Sequence, residues 1–192
     1  MKKYIVIFLC LLLLTGMLCG CDLIEIIQDR NYKIGVTSSD GWYSSWIGLQ
    51  YKPSGSMRMA HDQKLEEMLG KENANRIAEM GAESQSGNSI LVWVEQVPEN
   101  QTVNQYLDTI KSDLRDGEAS VRFSSTTSQN VGGIRFSRLD ATFTFKHTYI
   151  DFICKTTYLV AKKEDRMIVI SCFYANSETA DPLLSGFSAY ND

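Results

Sequence analysis

Ile90-Leu91-Val92-Trp93-Val94 is apolar without interruption. A run this short, rich in β-branched and aromatic residues, is the pattern of a central strand covered on both faces. Thr102-Val103-Asn104-Gln105-Tyr106-Leu107 follows soon after. Thr102 and Gln105 have the spacing of a capping box, in which each side chain satisfies a backbone N–H at the helix start. Val103, Tyr106, Leu107, Ile110 and Leu114 then share one helical stripe, so an amphipathic helix is predicted from Thr102 to Gly117.

Upstream of this pair, Tyr32 to Thr37 alternates, Ser38-Ser39-Asp40-Gly41 is a turn signal, and a second strand is predicted from Trp42 to Tyr51, closed by Pro53-Ser54-Gly55. Asp62 to Met80 has helical spacing. Leu65, Met68 and Leu69 fall on one face and Ala74, Ile77, Ala78 and Gly81 on another, with Gly70 between, which predicts two short helices or one kinked one.

Downstream, Val121 to Ser124 reads as a short strand and Gly132-Gly133 as a turn. Ile134 and Phe136 alternate in one parity while Leu139, Ala141, Phe143 and Phe145 take the other, which predicts a bulge near Ser137-Arg138. Tyr149 to Ala161 and Met167 to Tyr174 read as a long hairpin around Lys162-Lys163-Glu164-Asp165. A short closing helix is predicted after Asn176, with Pro182 in its first turn and Leu183, Leu184 and Phe187 buried.

This order of elements predicts an α+β domain, a largely antiparallel sheet with helices packed on it. Ile47-Gly48-Leu49-Gln50-Tyr51-Lys52-Pro53 resembles the opening strand-to-proline segment of PsbP-like proteins, and Thr102 to Leu107 resembles the start of their central helix. Gly133-Ile134-Arg135-Phe136 and the closing Leu183-Leu184-Ser185-Gly186-Phe187 fall in the same family order. The resemblance runs from Trp42 to Phe187 and implies an α/β/α sandwich around an antiparallel sheet. Relatives of that fold include a photosystem II extrinsic subunit and a binder of the nuclear GTPase Ran. No functional residue of either is matched here, so the resemblance implies a fold and not an activity.

The beginning of the chain carries an address. Met1-Lys2-Lys3 is basic, Tyr4 to Leu14 is apolar, and the run ends at Leu18-Cys19-Gly20-Cys21, which resembles a bacterial lipobox. The apolar core is shorter than the roughly 20 residues that span a bilayer, and the three-part layout is that of a secretory signal. Residues 1–20 are therefore expected to be a lipoprotein signal peptide (a signal helix), with cleavage before Cys21 and a diacylglycerol on its thiol; the alternative is an uncleaved anchor helix. Residues 21–30 form a tether more apolar than a Gly/Ser linker, and 31–192 one domain. Membrane attachment through lipid, on the extracytoplasmic face, is the expected location.

Cys21 to Asp192 is 172 residues with 17 Lys plus Arg against 23 Asp plus Glu, a net charge of about −6. That balance, without a basic run, argues against nucleic acid as a partner. The motifs of serine hydrolases, Walker-type nucleotide sites, dinucleotide folds, zinc proteases and dithiol redox centres are absent from the mature sequence. Of the two histidines, His61 reads as a loop or cap residue and His147 as a turn residue; no metal or cofactor is expected. The favoured function is a binding or assembly module without evident catalysis, engaging an unidentified protein or envelope ligand. An enzyme with a hydrolase-like site assembled from loops, and a purely structural envelope component, remain as alternatives.

Two constellations invite a test. On a single strand Trp42 and Trp46 would share a face with Ser44, Gly48 and Gln50, a composition suited to a binding platform, or to a surface covered by a helix. Cys154 and Cys172 would stand directly opposite each other in a hairpin centred on Lys163, at a Cα separation of about 4.5–5.5 Å that admits a disulfide. A shift in loop centre of one residue would instead put them on opposite faces.

Overall fold

The computed structural model describes residues 35–191 apart from 71–74, 118, 147–149 and 176. The signal, Cys21 and the tether lie outside the described residues, as does His147. Among the described residues, twelve strands and three helices follow in chain order. They are β1 (Val36–Ser38), β2 (Gly41–Ser44), β3 (Leu49–Tyr51), β4 (Arg58–Met59), α1 (Asp62–Leu69), β5 (Arg76–Glu83), β6 (Ser89–Gln96), α2 (Val103–Arg115), β7 (Ser120–Phe123), β8 (Thr127–Val131), β9 (Ile134–Phe145), β10 (Phe152–Lys163), β11 (Arg166–Ala175), α3 (Asp181–Leu184) and β12 (Phe187–Ala189).

Eight strands form the main sheet in the order β4-β5-β6-β11-β10-β9-β7, with β8 pairing β9, and every pairing is antiparallel. The Ile90–Val94 run is central, as its composition requires. Ile90, Val92 and Val94 enter one core with Ile168, Ile170 and Leu159, while Leu91 and Trp93 enter the other with Val169 and Met167.

The two faces are covered differently. Leu65 of α1 and Tyr106, Leu107 and Ile110 of α2 bury against one face. The capping box is formed: Thr102 Oγ1 accepts from the Gln105 N–H and the Thr102 N–H donates to Gln105 Oε1 at 2.8 Å. The other face is covered by a four-stranded sheet, β1-β2-β3-β12, together with α3. Trp42, Leu49, Tyr51, Leu183, Leu184 and Phe187 carry that contact. The domain is thus α+β with a largely antiparallel sheet, its second flank built mainly of strands with a short helix.

Three local expectations are corrected. Arg76–Glu83 is a strand, not helix. Ala, Glu and Met favour helix locally, but pairing with both β4 and β6 places the segment in the sheet, where context outweighs propensity. Gly81 permits close packing there, since a Cβ would stand 3.0 Å from Leu65 Cδ1 of α1. Second, β9 pairs β10 in unbroken register with no bulge near Ser137. Phe136 faces the strand-covered core and Leu139 the helix-covered one, so both parities carry apolar residues because both faces are buried. Third, Trp42 to Tyr51 is two short strands joined by a turn.

The long hairpin forms with a two-residue turn at Glu164-Asp165, pairing Lys163 with Arg166. Its centre lies beyond Lys163, which pairs Cys172 with Thr157 and Cys154 with Ala175. Both cysteines are free and buried, and they point to opposite faces of the sheet, so the expected disulfide is not formed. Gly132-Gly133 joins β8 to β9 with φ of 55° and 86°, values an L side chain rarely adopts. A Cβ at Gly132 would also stand 2.3 Å from Leu49 Cδ2.

Candidate functional site

The Trp42/Trp46 platform does not exist as a shared exposed face. Trp42 is 2% exposed and belongs to the core opposite Tyr51. Among the described residues its buried indole N–H has no hydrogen-bond partner. Trp46 lies in the β2–β3 turn, half-buried, with Lys163 Nζ 5.0 Å from its ring centroid and donating to its carbonyl oxygen. The intervening turn reverses the chain, so the period-2 argument that grouped the rings fails at Ser45.

The structure offers a cleft instead. It lies on the helix-covered face, holds about 200 Å³, and is lined by Met68 and Leu69 of α1, Ile110 and Asp113 of α2, and Arg76 and Trp93 of the sheet floor. Strand register builds the floor: Arg76 and Glu95 are direct cross-strand partners, and Glu95 shares a strand face with Trp93. The tyrosine comes from the α2 stripe.

These groups form one chain of hydrogen bonds. Trp93 Nε1 donates to the Tyr106 hydroxyl at 3.4 Å, the Tyr106 hydroxyl donates to Glu95 Oε2, and Arg76 Nε donates to the same oxygen at 2.8 Å. The Arg76 guanidinium also lies 5.6 Å from the Trp93 ring centroid, a cation–π distance. Burial raises the Tyr106 pKa above the ordinary phenol value, and the bond to Glu95 raises it further. Burial opposes the Arg76 charge, yet its bond to Glu95 and the nearby Glu95 and Asp113 carboxylates hold its pKa above the usual value. Burial likewise pushes Tyr158, at the cleft edge, up to about 12. The arginine therefore stays charged and the phenols neutral at ordinary pH.

A second polar cluster sits on the strand-covered face. Arg138 Nε contacts both Asp140 oxygens at 3.0 and 3.1 Å, and its Nη1 donates to Gln129 at 2.8 Å and lies 3.5 Å from Asp181 of α3. Thr157 donates to Asp140 at 2.5 Å and shares a hydrogen with Tyr174 at 2.9 Å. This network ties α3 and β8 to β9 and β10.

Among the described residues no group of three or more His, Cys, Asp or Glu could hold a metal. His61 is the N-cap residue of α1 and makes no side-chain cap bond. Sequence reasoning misses the cleft residues because Arg76 lies in a segment with helical spacing; read as a strand, its opposite charge to Glu95 is the available signal.

No family model matches the sequence, and no curated protein matches it. Solved structures do. The solution structure of cyanobacterial PsbP (CyanoP) from Synechocystis sp. PCC 6803 superposes with a TM-score of 0.50 at 11% identity, covering 82% of this chain and 95% of that one. The chain has a PsbP-like fold. The crystal structure of LpqN, involved in cell envelope biogenesis of Mycobacterium tuberculosis, gives a TM-score of 0.47 at 10% identity, covering 74% of this chain and 83% of that one. Identities this low speak to the fold and leave function to the residues.

Among the described residues no helix is long and apolar enough to cross a membrane.

Proposed function

We propose that the chain is a lipid-anchored extracytoplasmic module that binds a protein or envelope ligand through the α1–α2 cleft without transforming it. The carrying observation is that the hydrogen-bond network at the cleft floor closes on itself: a single Glu95 oxygen takes donors from Arg76 and Tyr106. A general base needs a free lone pair aimed at the substrate, and the Glu95 oxygen held by Arg76 and Tyr106 is not one. What remains available is shape, the apolar side chains of Met68, Leu69 and Ile110, and a charge-paired rim of Arg76 and Asp113. That combination suits a largely apolar group with a small polar end.

The test is capture from detergent-solubilised membranes with the intact chain, beside a Met68→Arg variant that fills the cleft with a second cation. Met68 is half-buried at the cleft rim, so the variant should fold. A partner retained by the parent and lost by Met68→Arg supports the reading; a partner held equally by both refutes the cleft as its site. Cys21→Ser should abolish acylation, and a variant that stays wholly in the membrane fraction with its signal ending earlier would refute the anchor.

A further inference from the structure

The floor of the α1–α2 cleft is built in rows, and one row fixes the chemistry of its two ends. Ser171 of β11 pairs with Leu91 of β6 on one side and with Tyr158 of β10 on the other, and Leu91 pairs in turn with Gly81 of β5. These four residues form a line across four strands, about 14 Å long at the usual strand spacing. A thioether stands at the Gly81 end, because a Cβ added there would lie 3.1 Å from Met68 Sδ. Half-buried Tyr158 stands at the other end. Leu69 of α1 and Leu114 of α2, also half-buried, complete the apolar walls.

The Glu95 oxygen is taken by Arg76 and Tyr106, but Tyr158 is placed differently. Among the described residues nothing is hydrogen-bonded to its hydroxyl, and burial, with Arg76 opposing, pushes its pKa up to about 12. The phenol is therefore neutral at ordinary pH and has a donor and an acceptor site to offer. Its cross-strand neighbour Ser171 adds a second hydroxyl to the lining. A ligand group that both donates and accepts matches these hydroxyls in either role.

Size and wall chemistry decide what carries that group. The cleft holds about 200 Å³, more than the roughly 150 Å³ cavity that takes benzene and less than the roughly 300–1,000 Å³ of sites for drug-sized ligands. One ring fits. Met68 and Arg76 favour an aromatic ring over a saturated one, since a thioether attracts a ring edge and a guanidinium attracts a ring face. Arg76 is held for this by Glu95 at 2.8 Å. An anionic ligand gains little, because the Glu95 and Asp113 carboxylates already balance the arginine.

We propose that the cleft binds a phenolic group, its ring packed against Met68 and Arg76 and its hydroxyl paired with Tyr158. The proposal rests on the reading of this cleft as the binding site. A tyrosine side chain of a partner polypeptide and a free phenolic molecule present the same group.

The experiment uses the full chain in phosphatidylcholine nanodiscs, isotopically labelled at its methionine methyl groups and titrated with phenol, benzene and cyclohexanol at free concentrations fixed by dialysis. The Met68 signal is identified by its loss in Met68→Leu. Phenol should shift that signal saturably at about millimolar concentration, and Met80, in the opposite core, should not move. Benzene and cyclohexanol should bind about three- to tenfold more weakly. Tyr158→Phe keeps the ring and removes a hydroxyl that has no described partner, so the variant should fold; it should bring phenol down to the affinity of benzene and leave benzene unchanged. Equal affinity for phenol and either analogue in the parent, or phenol binding unaltered by Tyr158→Phe, would overturn the proposal. N-acetyltyrosinamide separates the two sources: binding tighter than phenol assigns the ring to a polypeptide, and exclusion of the amide assigns it to a free phenolic molecule, either result upholding the site. The two readings of the cleft fail separately. Partner capture lost in Met68→Arg, with phenol leaving the Met68 signal unmoved, would keep the cleft and refute the phenolic ligand. Phenol binding with capture indifferent to Met68→Arg would uphold the phenolic site and refute the cleft as the place where that partner docks.

Discussion

Replacing Trp42 by alanine should destabilise the domain more than almost any other single change on its strand. The ring is 2% exposed, sits opposite Tyr51, and shares a core with Leu49, Leu184 and Phe187. Truncating a buried tryptophan costs about 3–5 kcal/mol, the transfer of the ring plus the cavity left behind. For a domain of this size that is a fall in Tm of about 6–20 °C. Trp42→Phe separates two contributions to that cost. The buried indole N–H has no partner among the described residues, a burden of about 1–3 kcal/mol that phenylalanine removes while keeping most of the apolar body. The phenyl variant should therefore lie within about 1 kcal/mol of the parent. Urea denaturation followed by circular dichroism measures both, the shift in midpoint at constant slope giving the difference. A loss below about 1 kcal/mol for Trp42→Ala would refute the core placement. Equal losses for alanine and phenylalanine would refute the unpaired donor.

Thr102→Ala should cost about 0.5–2 kcal/mol, since it removes the acceptor for the Gln105 N–H; native-state hydrogen exchange should show faster exchange confined to the first turn of α2. Cys154 and Cys172 are buried and burial pushes the pKa of both up. Iodoacetamide should add nothing to these two residues in the folded domain and two groups after unfolding without reductant; one group or none on them after unfolding would refute the free thiols. Tyr51, Tyr106, Tyr158 and Tyr174 all have raised pKa values, burial being the largest cause in each. A phenol held protonated in the folded state contributes stability that is fully present below the unfolded value of about 10 and is lost as pH rises through the folded value. Stability should therefore fall above about pH 10, and ultraviolet titration at pH 11 should find fewer phenolates in the folded than in the denatured chain; equal counts would refute the burial of these rings.

The central strand, the capped helix and the long hairpin were legible because each rests on a local pattern that tertiary structure then reinforces. Ile90–Val94 needs two covered faces and has them; Thr102 and Gln105 need only each other. Arg76–Glu83 was not legible because its residues favour helix and its partners, β4 and β6, lie outside any local window. The turn at Ser45–Gly48 was hidden within a run whose alternation continues across it, and this moved Trp42 from a surface to the core. The cysteine register failed on the turn centre alone. The cleft requires six elements to converge, α1, α2, β5, β6, β10 and β11, and only the Arg76–Glu95 pairing is available from sequence, once the strand is recognised.

The last strand has a consequence for how the chain comes to be folded. β12 pairs with β3, and Gln50 Nε2 reaches the Ala189 carbonyl across 139 residues of sequence. β11, which completes the centre of the large sheet by joining β6 to β10, also comes within the final 27 residues. Pairings so distant must wait for loop closure and are slow to form. A chain threaded through a narrow pore from its N-terminus onward would thus keep β3 and β6 unclosed until nearly all of it had emerged. Folding on the far side of that pore would wait for these late strands.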